Sequence, residues 1–217
     1  MWEFLLAGGP FMVVLVLTSI VGLTFIIERG LALRRSRVVP PSIEEAIETT
    51  GSKEDLQALR VLCQQKRSTL GRLVLLAIEH LPWPKPDNAD CVQTRARNEI
   101  VQLERGLVVL EVVVGIAPLL GLVGTVHGLI TLFADLGKTG LADNSVLAKG
   151  IAIALNTTLM GLLIAIPTLV AWSYYTAKVQ ALAVEMETLL DDFLRRQYRH
   201  RTRIAPAKET AGSTRNA

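Results

Sequence analysis

Uncharged hydrophobic stretches alternate with charged segments along this 217-residue chain. The stretches cover residues 4–27, 112–134 and 150–177, and they contain 24, 23 and 28 residues without a formal charge. A helix of about 20 apolar residues crosses the hydrocarbon layer of a membrane, which is roughly 30 Å thick. The pattern therefore predicts an all-α membrane protein with three transmembrane helices. Only 20% of the residues are charged, against about a quarter in soluble domains, so an ordinary cytosolic enzyme is excluded.

Helical periodicity continues outside the three stretches and predicts long cytoplasmic helical extensions. One helix should begin after Ser52, and a second should run from Thr69 to about His80. The proline-rich residues 81–87 should interrupt the chain, and a helix from about Asp90 should then continue without a break into the second span. The third span should likewise continue beyond Lys178.

These patterns divide the chain into seven segments. They are an outer N terminus with the first span (1–27), a cytoplasmic helical segment (28–106), the second span (107–134), an outer loop (135–149), the third span (150–177), a cytoplasmic helix (178–201) and a disordered tail (202–217).

The distribution of basic residues predicts the orientation. Thirteen of the 23 Lys and Arg residues lie in 29–105, two lie in 135–149 and eight follow the third span. Basic residues near span ends stay in the cytoplasm, so the N terminus is expected outside. The first stretch lacks a basic n-region and a small-x-small cleavage site, which favours a retained span over a signal peptide. The basic residues within 195–203 are interpreted as a helix end near anionic lipid, and nucleic-acid binding is not expected.

Catalytic, metal-binding and cofactor-binding motifs are not recognised in the sequence, so we expect no enzyme activity, no metal site and no cofactor. Cys63 and Cys91 lie in the predicted cytoplasmic segment, where thiols stay reduced. They are 28 residues apart without a second pair, which makes a poor metal site.

The three spans differ in composition. The first is bulky and typical of a helix facing lipid, whereas the second and third are rich in small and hydroxyl residues. One face of the third span carries only small or hydroxyl residues, and it is expected to meet another subunit or a partner helix: Ala154, Thr158, Gly161 and Ala165. The alternative is that such small-residue stripes only pack helices together.

Polar side chains inside the three stretches 4–27, 112–134 and 150–177 are few, and none is an Asp, Glu, Lys or Arg. Asn156, Thr157 and Thr158 are consecutive and point about 100° apart, so they cannot all face one neighbour. A proton or sodium path normally uses an ionisable group, so an ion-conducting chain of this kind would need one from another chain. For His127 a packing or hydrogen-bonding role is favoured, with a proton relay as the alternative, and Glu111 is interpreted as a boundary charge.

Two motifs together resemble the MotA/TolQ/ExbB proton-channel family. They are Ala117–Gly128 (APLLGLVGTVHG) and Gly150–Pro167 (GIAIALNTTLMGLLIAIP). Charged residues that bound the spans on the cytoplasmic side complete the resemblance: Glu28, Arg29, Glu104, Arg105 and Glu111. The length and the three spans fit the ExbB/TolQ branch.

The resemblance implies a channel subunit in the bacterial inner membrane that uses the proton motive force to drive transport or envelope work. It implies a homo-pentamer around a single-span ExbD/TolR-like partner whose intramembrane Asp carries the proton, with a TonB-like or Tol-type protein as a further partner. Residues matching Thr125 and Thr158 line the pore in the family. We assign the other candidates to the ion pathway (Asn156, Thr157, His127) and to helix shaping (Pro118, Pro167, Gly121, Gly124, Gly128, Gly161).

Two positions depart from the family pattern. Ile153 stands where many ExbB and TolQ proteins have an acid, and His127 stands where Trp is common. TonB-type uptake, Tol-type envelope work and another driven process thus stay open, as do proton and sodium. A non-conducting membrane scaffold is the alternative function.

The positions of Thr125 and Thr158 within their spans predict how deep each side chain lies in the membrane. Counting 1.5 Å per residue from the span midpoints puts Thr125 about 3 Å and Thr158 about 4.5 Å outward of the membrane midplane. The two hydroxyls should therefore form one polar layer.

Overall fold

The computed structural model describes residues 9–50, 53–139 and 144–204, and helix is the only regular secondary structure within them. The helices are α1 (Gly9–Ala32), α2 (Arg35–Val38), α3 (Pro41–Thr49), α4 (Lys53–Gln65), α5 (Thr69–Glu79), α6 (Lys85–Glu104), α7 (Leu107–Thr139) and α8 (Asn144–Ile204). Three stretches of helix are long and apolar enough to cross a membrane: Pro10–Ala32, Leu107–Gly137 and Leu147–Arg199. The predicted all-α fold with three spans is therefore confirmed.

The chain forms two compact units, each built from two separate stretches of sequence. Met1–Leu31 and Arg105–Thr176 form the first, here called the membrane unit, and it contains α1, α7 and the first part of α8. Ala32–Glu104 and Ala177–Ala217 form the second, here called the extension unit, and it contains α2 to α6 and the rest of α8.

The membrane unit has a small core where its three helices meet. Leu15 of α1, Val113 and Ala117 of α7, and Ile164 and Ala165 of α8 are buried there. Toward the other end of α1, the Tyr175 hydroxyl donates a hydrogen bond to the Ile26 carbonyl oxygen over 3.0 Å. α1 is the most exposed of the three helices. In its most apolar stretch of 18 residues 17% of the residues are buried, compared with 33% in the corresponding stretches of α7 and α8.

The extension unit has a larger hydrophobic core with a buried ion pair beside it. Leu70, Leu73, Met186 and Phe193 are among its fully buried side chains. Glu99 is 1% exposed and pairs with Arg72 and, over 3.1 Å, with Arg95. The hydrogen bonds that the Arg72 guanidinium donates to the Glu99 carboxylate raise the pKa of Arg72 above its usual range.

Polar contacts attach the end of α8 to the other helices of this unit. Arg35 pairs with Glu185 of α8 and, over 2.9 Å, with Glu44 of α3. The Tyr198 hydroxyl donates to the Trp83 carbonyl oxygen over 2.8 Å. The predicted extension of the third span beyond Lys178 is confirmed, because α8 is continuous to Ile204.

The predicted helix boundaries between residues 69 and 90 are confirmed in part. The helix from Thr69 is confirmed and is capped by Ser68, whose hydroxyl accepts from the Gly71 amide over 3.0 Å. The proline-rich interruption is present but shorter than predicted. α6 begins at Lys85 instead of about Asp90, because Pro86 lies in its first turn, where no helical amide is required.

The predicted unbroken helix from Asp90 into the second span is wrong. α6 ends at Glu104, a turn covers residues 105–106, and α7 begins at Leu107. Gly106 is buried, and a Cβ there would overlap the Arg29 side chain. A side chain at residue 106 would therefore displace the Arg29 side chain from its present position.

Helix ends also differ from several predicted segment bounds. α1 continues to Ala32, whereas the first span was predicted to end at residue 27; residues 1–8 lie outside the described part. α7 and α8 extend into the predicted outer loop 135–149 from both sides, up to Thr139 and from Asn144. α8 extends to Ile204, and the remainder of the predicted disordered tail lies outside the described residues.

Candidate functional site

Glycines bring α7 and α8 into backbone contact at the level of the two sequence motifs. A Cβ on Gly161 would lie 2.6 Å from the Ala117 carbonyl oxygen, and one on Gly121 would lie 2.9 Å from the Thr157 carbonyl oxygen. Toward the other end of the contact, a Cβ on Gly128 would lie 3.2 Å from the Ala154 Cβ. Because backbone atoms cannot move aside as a flexible side chain can, any larger residue would force the helices apart.

Three threonine hydroxyls meet between these helices, and we call them the hydroxyl layer: Thr125 of α7 with Thr157 and Thr158 of α8. Thr125 Oγ1 bonds Thr158 Oγ1 directly and lies 3.3 Å from Thr157 Oγ1. It also lies 3.0 Å from the Ala154 carbonyl oxygen. The prediction that Thr125 and Thr158 share one polar layer is confirmed.

Backbone carbonyls supply the remaining acceptors of the layer. The Gly121 carbonyl oxygen lies 3.2 Å from each of the three hydroxyl oxygens. The Ala154 carbonyl oxygen accepts from Thr157 over 2.7 Å. Each hydroxyl has one proton and two acceptor positions, so the three protons can be satisfied within the layer while acceptor capacity remains.

The three threonines differ in their burial. Thr157 is 2% exposed, and a Cβ on Gly124 would lie 2.9 Å from its hydroxyl oxygen. Thr125 and Thr158 are half-buried, so each keeps an accessible side. Thr157 packs between α7 and α8 here, and its assignment to the ion pathway stays a prediction.

The small-residue face of α8 contacts α7 of the same chain. Ala154 and Ala165 are 2% and 6% exposed, and Gly161 is buried against the Ala117 backbone. The expectation that this face meets another subunit or a partner helix is therefore wrong for its buried members. Thr158 alone on this face stays partly accessible.

The other intramembrane candidates lie outside the hydroxyl layer. His127 is exposed and contacts the Phe11 ring edge-on at 5.4 Å between ring centroids, which favours the packing interpretation. Asn156 is half-buried on a different side of α8. Pro118 and Pro167 lie inside α7 and α8, and because proline lacks an amide proton each removes one helical hydrogen bond near the glycine contacts.

Three of the predicted boundary residues line a second feature, here called the basic groove. It is a cavity of about 380 Å³ lined by Thr24, Phe25, Glu28, Arg29, Arg105 and Gly106. The Arg29 guanidinium donates to Glu28 with an Nε to Oε2 distance of 2.9 Å. The other two predicted boundary residues, Glu104 and Glu111, are exposed and do not line this cavity.

Chemically, the hydroxyl layer is suited to a carboxyl group that changes its protonation state. Hydroxyls donate to a carboxylate and accept from a carboxylic acid, whereas aliphatic side chains do neither. Sequence reasoning missed the carbonyl oxygens of Gly121 and Ala154 in the layer, because backbone acceptors have no residue signature. It also missed the basic groove, whose residues lie far apart in sequence.

Comparisons with known proteins agree with this architecture. Residues 79–188 match the model of the MotA/TolQ/ExbB proton channel family. A putative biopolymer transport protein ExbB-like 1 from Synechocystis is 36% identical over 174 residues, covering 76% of this chain and 65% of that protein. A putative ExbB homolog from Methanothermobacter thermautotrophicus is 31% identical over 179 residues, covering 82% of this chain and 63% of that protein.

A third relative extends the similarity to the Tol branch. The Tol-Pal system protein TolQ of Haemophilus influenzae is 29% identical over 185 residues, covering 77% of this chain and 81% of TolQ. The chain thus spans somewhat less than two thirds of the first two relatives and most of the third. With the family model matching half of the chain and ExbB and TolQ proteins aligned along most of it, the chain belongs to the MotA/TolQ/ExbB proton channel family, in its ExbB/TolQ-like branch.

Proposed function

We propose that the chain is the channel subunit of an ion-driven complex in the bacterial inner membrane. In this complex several copies, five by resemblance to the family, surround a single-span ExbD/TolR-like partner whose intramembrane Asp carries the proton. Proton movement along the proton motive force then drives transport or envelope work through a TonB-like or Tol-type protein.

The hydroxyl layer is the observation that carries this proposal. It places the hydroxyls of two half-buried threonines, Thr125 and Thr158, side by side inside the stretches 112–134 and 150–177, which contain no Asp, Glu, Lys or Arg. A proton path requires a titrating group, so here that group comes from another chain. Hydroxyls at this depth provide the polar surroundings that such a carboxyl group needs inside a membrane.

The hydrogen bonds of the layer suggest how it serves both states of a partner carboxyl group. A protonated carboxyl donates to a hydroxyl oxygen, while the hydroxyls keep their bonds to the Gly121 and Ala154 carbonyls. When the carboxyl ionises, the hydroxyls of Thr125 and Thr158 rotate and donate to it instead. Loss of these donors raises the carboxyl pKa and slows proton release.

The orientation and arrangement of the helices in the complex follow from charge and exposure. The excess of basic residues between the first and second spans and after the third keeps these segments in the cytoplasm and the N terminus outside. α1 faces lipid, in line with its bulky composition and its small buried fraction. α7 and α8 surround the central cavity that holds the partner helix.

The proposal is tested with the double variant Thr125→Val/Thr158→Val, which keeps the side-chain shape and removes both hydroxyls. The matched control is Thr18→Val/Thr24→Val on α1, because these hydroxyls only bond the carbonyl oxygens of Val14 and Ile20, at 2.8 and 2.7 Å. Copurification with the single-span partner measures assembly, and growth that depends on the driven process measures function.

We expect both double variants to copurify with the partner. An interhelical hydrogen bond in a membrane contributes only about 0.6 kcal/mol on average, which is too little to disrupt the complex. Only Thr125→Val/Thr158→Val should abolish ion-driven growth. Normal growth of this variant would refute the pore assignment, and loss of partner binding would favour the non-conducting scaffold.

A further inference from the structure

Two cavities with different chemistry follow one another between α1 and the start of α7. The first is the basic groove. The second, here called the apolar groove, is also about 380 Å³ and is lined by residues from Val14 to Val21 of α1 and from Val108 to Ile116 of α7. Thr18 carries the one polar side chain among its lining residues, and its hydroxyl already donates to the Val14 carbonyl oxygen.

The two grooves are ordered along the membrane axis. α1 contributes Val14–Val21 to the apolar groove and then Thr24, Phe25, Glu28 and Arg29 to the basic groove. On the opposite side the chain runs the other way: Arg105 and Gly106 line the basic groove, and residues from Val108 to Ile116 of α7 then line the apolar groove. From Thr24 to Val14 the helix rises about 15 Å, which is the hydrocarbon depth of one leaflet in a layer of roughly 30 Å.

The charges of the basic groove suit a phosphodiester. Arg29 and Arg105 contribute two positive charges and Glu28 one negative charge, so its lining carries a net charge of +1. Arg29 is held in place by Glu28 and by packing on Gly106. Arg105 is exposed, and a guanidinium offers paired donors that match two phosphate oxygens.

We propose that the two grooves together bind one anionic phospholipid. Its phosphodiester lies between Arg29 and Arg105, and one acyl chain occupies the apolar groove between α1 and α7. A free phosphate ion would use only the basic groove, whereas the apolar groove that follows it matches a chain of leaflet length. The lipid belongs to the inner leaflet, which rests on the orientation proposed above.

The test uses the full chain purified in detergent and titrated with phosphatidylglycerol, with phosphatidylcholine and with inorganic phosphate. Retained lipid is quantified by native mass spectrometry, and binding is followed independently by thermal unfolding. Neither readout depends on ion conduction or on a partner, so a negative result here leaves the proposed channel function untouched.

Variants of the basic groove should change phosphatidylglycerol affinity in opposite directions. Arg105→Gln should weaken it roughly ten- to hundredfold, the range for one lost hydrogen bond to a charged group. Glu28→Gln removes the opposing charge and should strengthen binding, which misfolding cannot mimic. The control Arg34→Gln removes an exposed charge that does not line the groove and should cost at most about fivefold, the general attraction of one basic side chain to anionic lipid.

The apolar groove is tested with Val112→Trp, which fills it without changing charge. This variant should lose phosphatidylglycerol as strongly as Arg105→Gln does, and inorganic phosphate should not stabilise the wild-type chain. Equal binding of the two lipids, or equal losses in Arg105→Gln and Arg34→Gln, would overturn the proposal. Stabilisation by phosphate together with undiminished lipid retention in Val112→Trp would instead indicate a free-anion site.

Discussion

Replacing Gly161 with alanine tests whether backbone contact between α7 and α8 builds the hydroxyl layer. The new Cβ would lie 2.6 Å from the Ala117 carbonyl oxygen, whereas ordinary contacts begin at 3.4 Å, so the helices must separate by about 0.8 Å. If the whole displacement reaches the layer, the distance from Thr158 Oγ1 to the Gly121 oxygen grows from 3.2 Å to about 4.0 Å. That distance is too long for a hydrogen bond.

The cost of this separation can be estimated from the bonds it breaks. Thr157 donates to the Ala154 carbonyl oxygen within α8, so the hydroxyl bonds that cross between the helices are the two donated by Thr125 and Thr158. At about 0.6 kcal/mol per interhelical bond in a membrane, their loss costs about 1 kcal/mol. Alanine is more favourable than glycine inside a helix by about 1 kcal/mol, and replacing any glycine of α7 or α8 with alanine brings this gain. The two contributions nearly cancel, so the expected net change in the free energy of unfolding for Gly161→Ala is close to zero.

Two matched controls isolate the contact from helix propensity. Gly115 and Gly137 of α7 have nothing within 4 Å of an added Cβ. Replacing either with alanine should therefore only raise the free energy of unfolding by the difference in helix propensity, about 1 kcal/mol. Unfolding in mixed detergent micelles, followed by circular dichroism, should separate Gly161→Ala from both controls by about 1 kcal/mol. Equal free energies of unfolding for the three variants would refute the reasoning.

Three further predictions concern the extension unit and the orientation. Burial raises the pKa of the Cys63 thiol to about 11, so an alkylating reagent at pH 8 should modify Cys91 and spare Cys63. Modification of Cys63 should increase as the pH approaches 11, and equal modification rates of the two cysteines at pH 8 would contradict this prediction. Glu99→Gln should lower the free energy of unfolding by about 2 kcal/mol, because it removes a buried charge bonded to two arginines. The exposed control Asp191→Asn, whose pair with Arg195 spans 4.0 Å, should change it by less than about 0.5 kcal/mol, and similar losses in chemical denaturation would contradict the assignment. A membrane-impermeant thiol reagent should label Gly140→Cys but not Arg60→Cys in intact cells, and the reverse pattern would invert the orientation.

Much of the hydroxyl layer could be predicted from the sequence. Thr125 and Thr158 fall at similar depths because both helices advance 1.5 Å per residue, and depth needs only a count from the span midpoints. The neighbour of each helix face could not be predicted in this way. Ala154 and Gly161 favour close packing with any helix, and only the folded chain shows that this helix is α7 of the same subunit.

The turn between α6 and α7 illustrates another limit of sequence patterns. The periodicity up to Arg105 predicts an unbroken helix, and a single glycine at residue 106 is tolerated inside many helices. What distinguishes Gly106 is the Arg29 side chain, which occupies the space a Cβ would need. This contact joins residues that are far apart in the sequence. The basic groove is likewise lined by residues that are far apart in the sequence, so a local sequence pattern predicts neither feature.

Voltage-driven proton flux through reconstituted complexes tests the central claim most directly. The chain is copurified with its single-span partner and placed in liposomes, and a potassium gradient with valinomycin imposes the membrane potential. The wild-type complex and the Thr18→Val/Thr24→Val control should take up protons at equal rates. Thr125→Val/Thr158→Val should be slower by roughly tenfold or more, because each lost hydrogen bond to a charged carboxylate costs about 1.5–3 kcal/mol. Equal flux in all three complexes, or no flux in the wild type, would contradict the account.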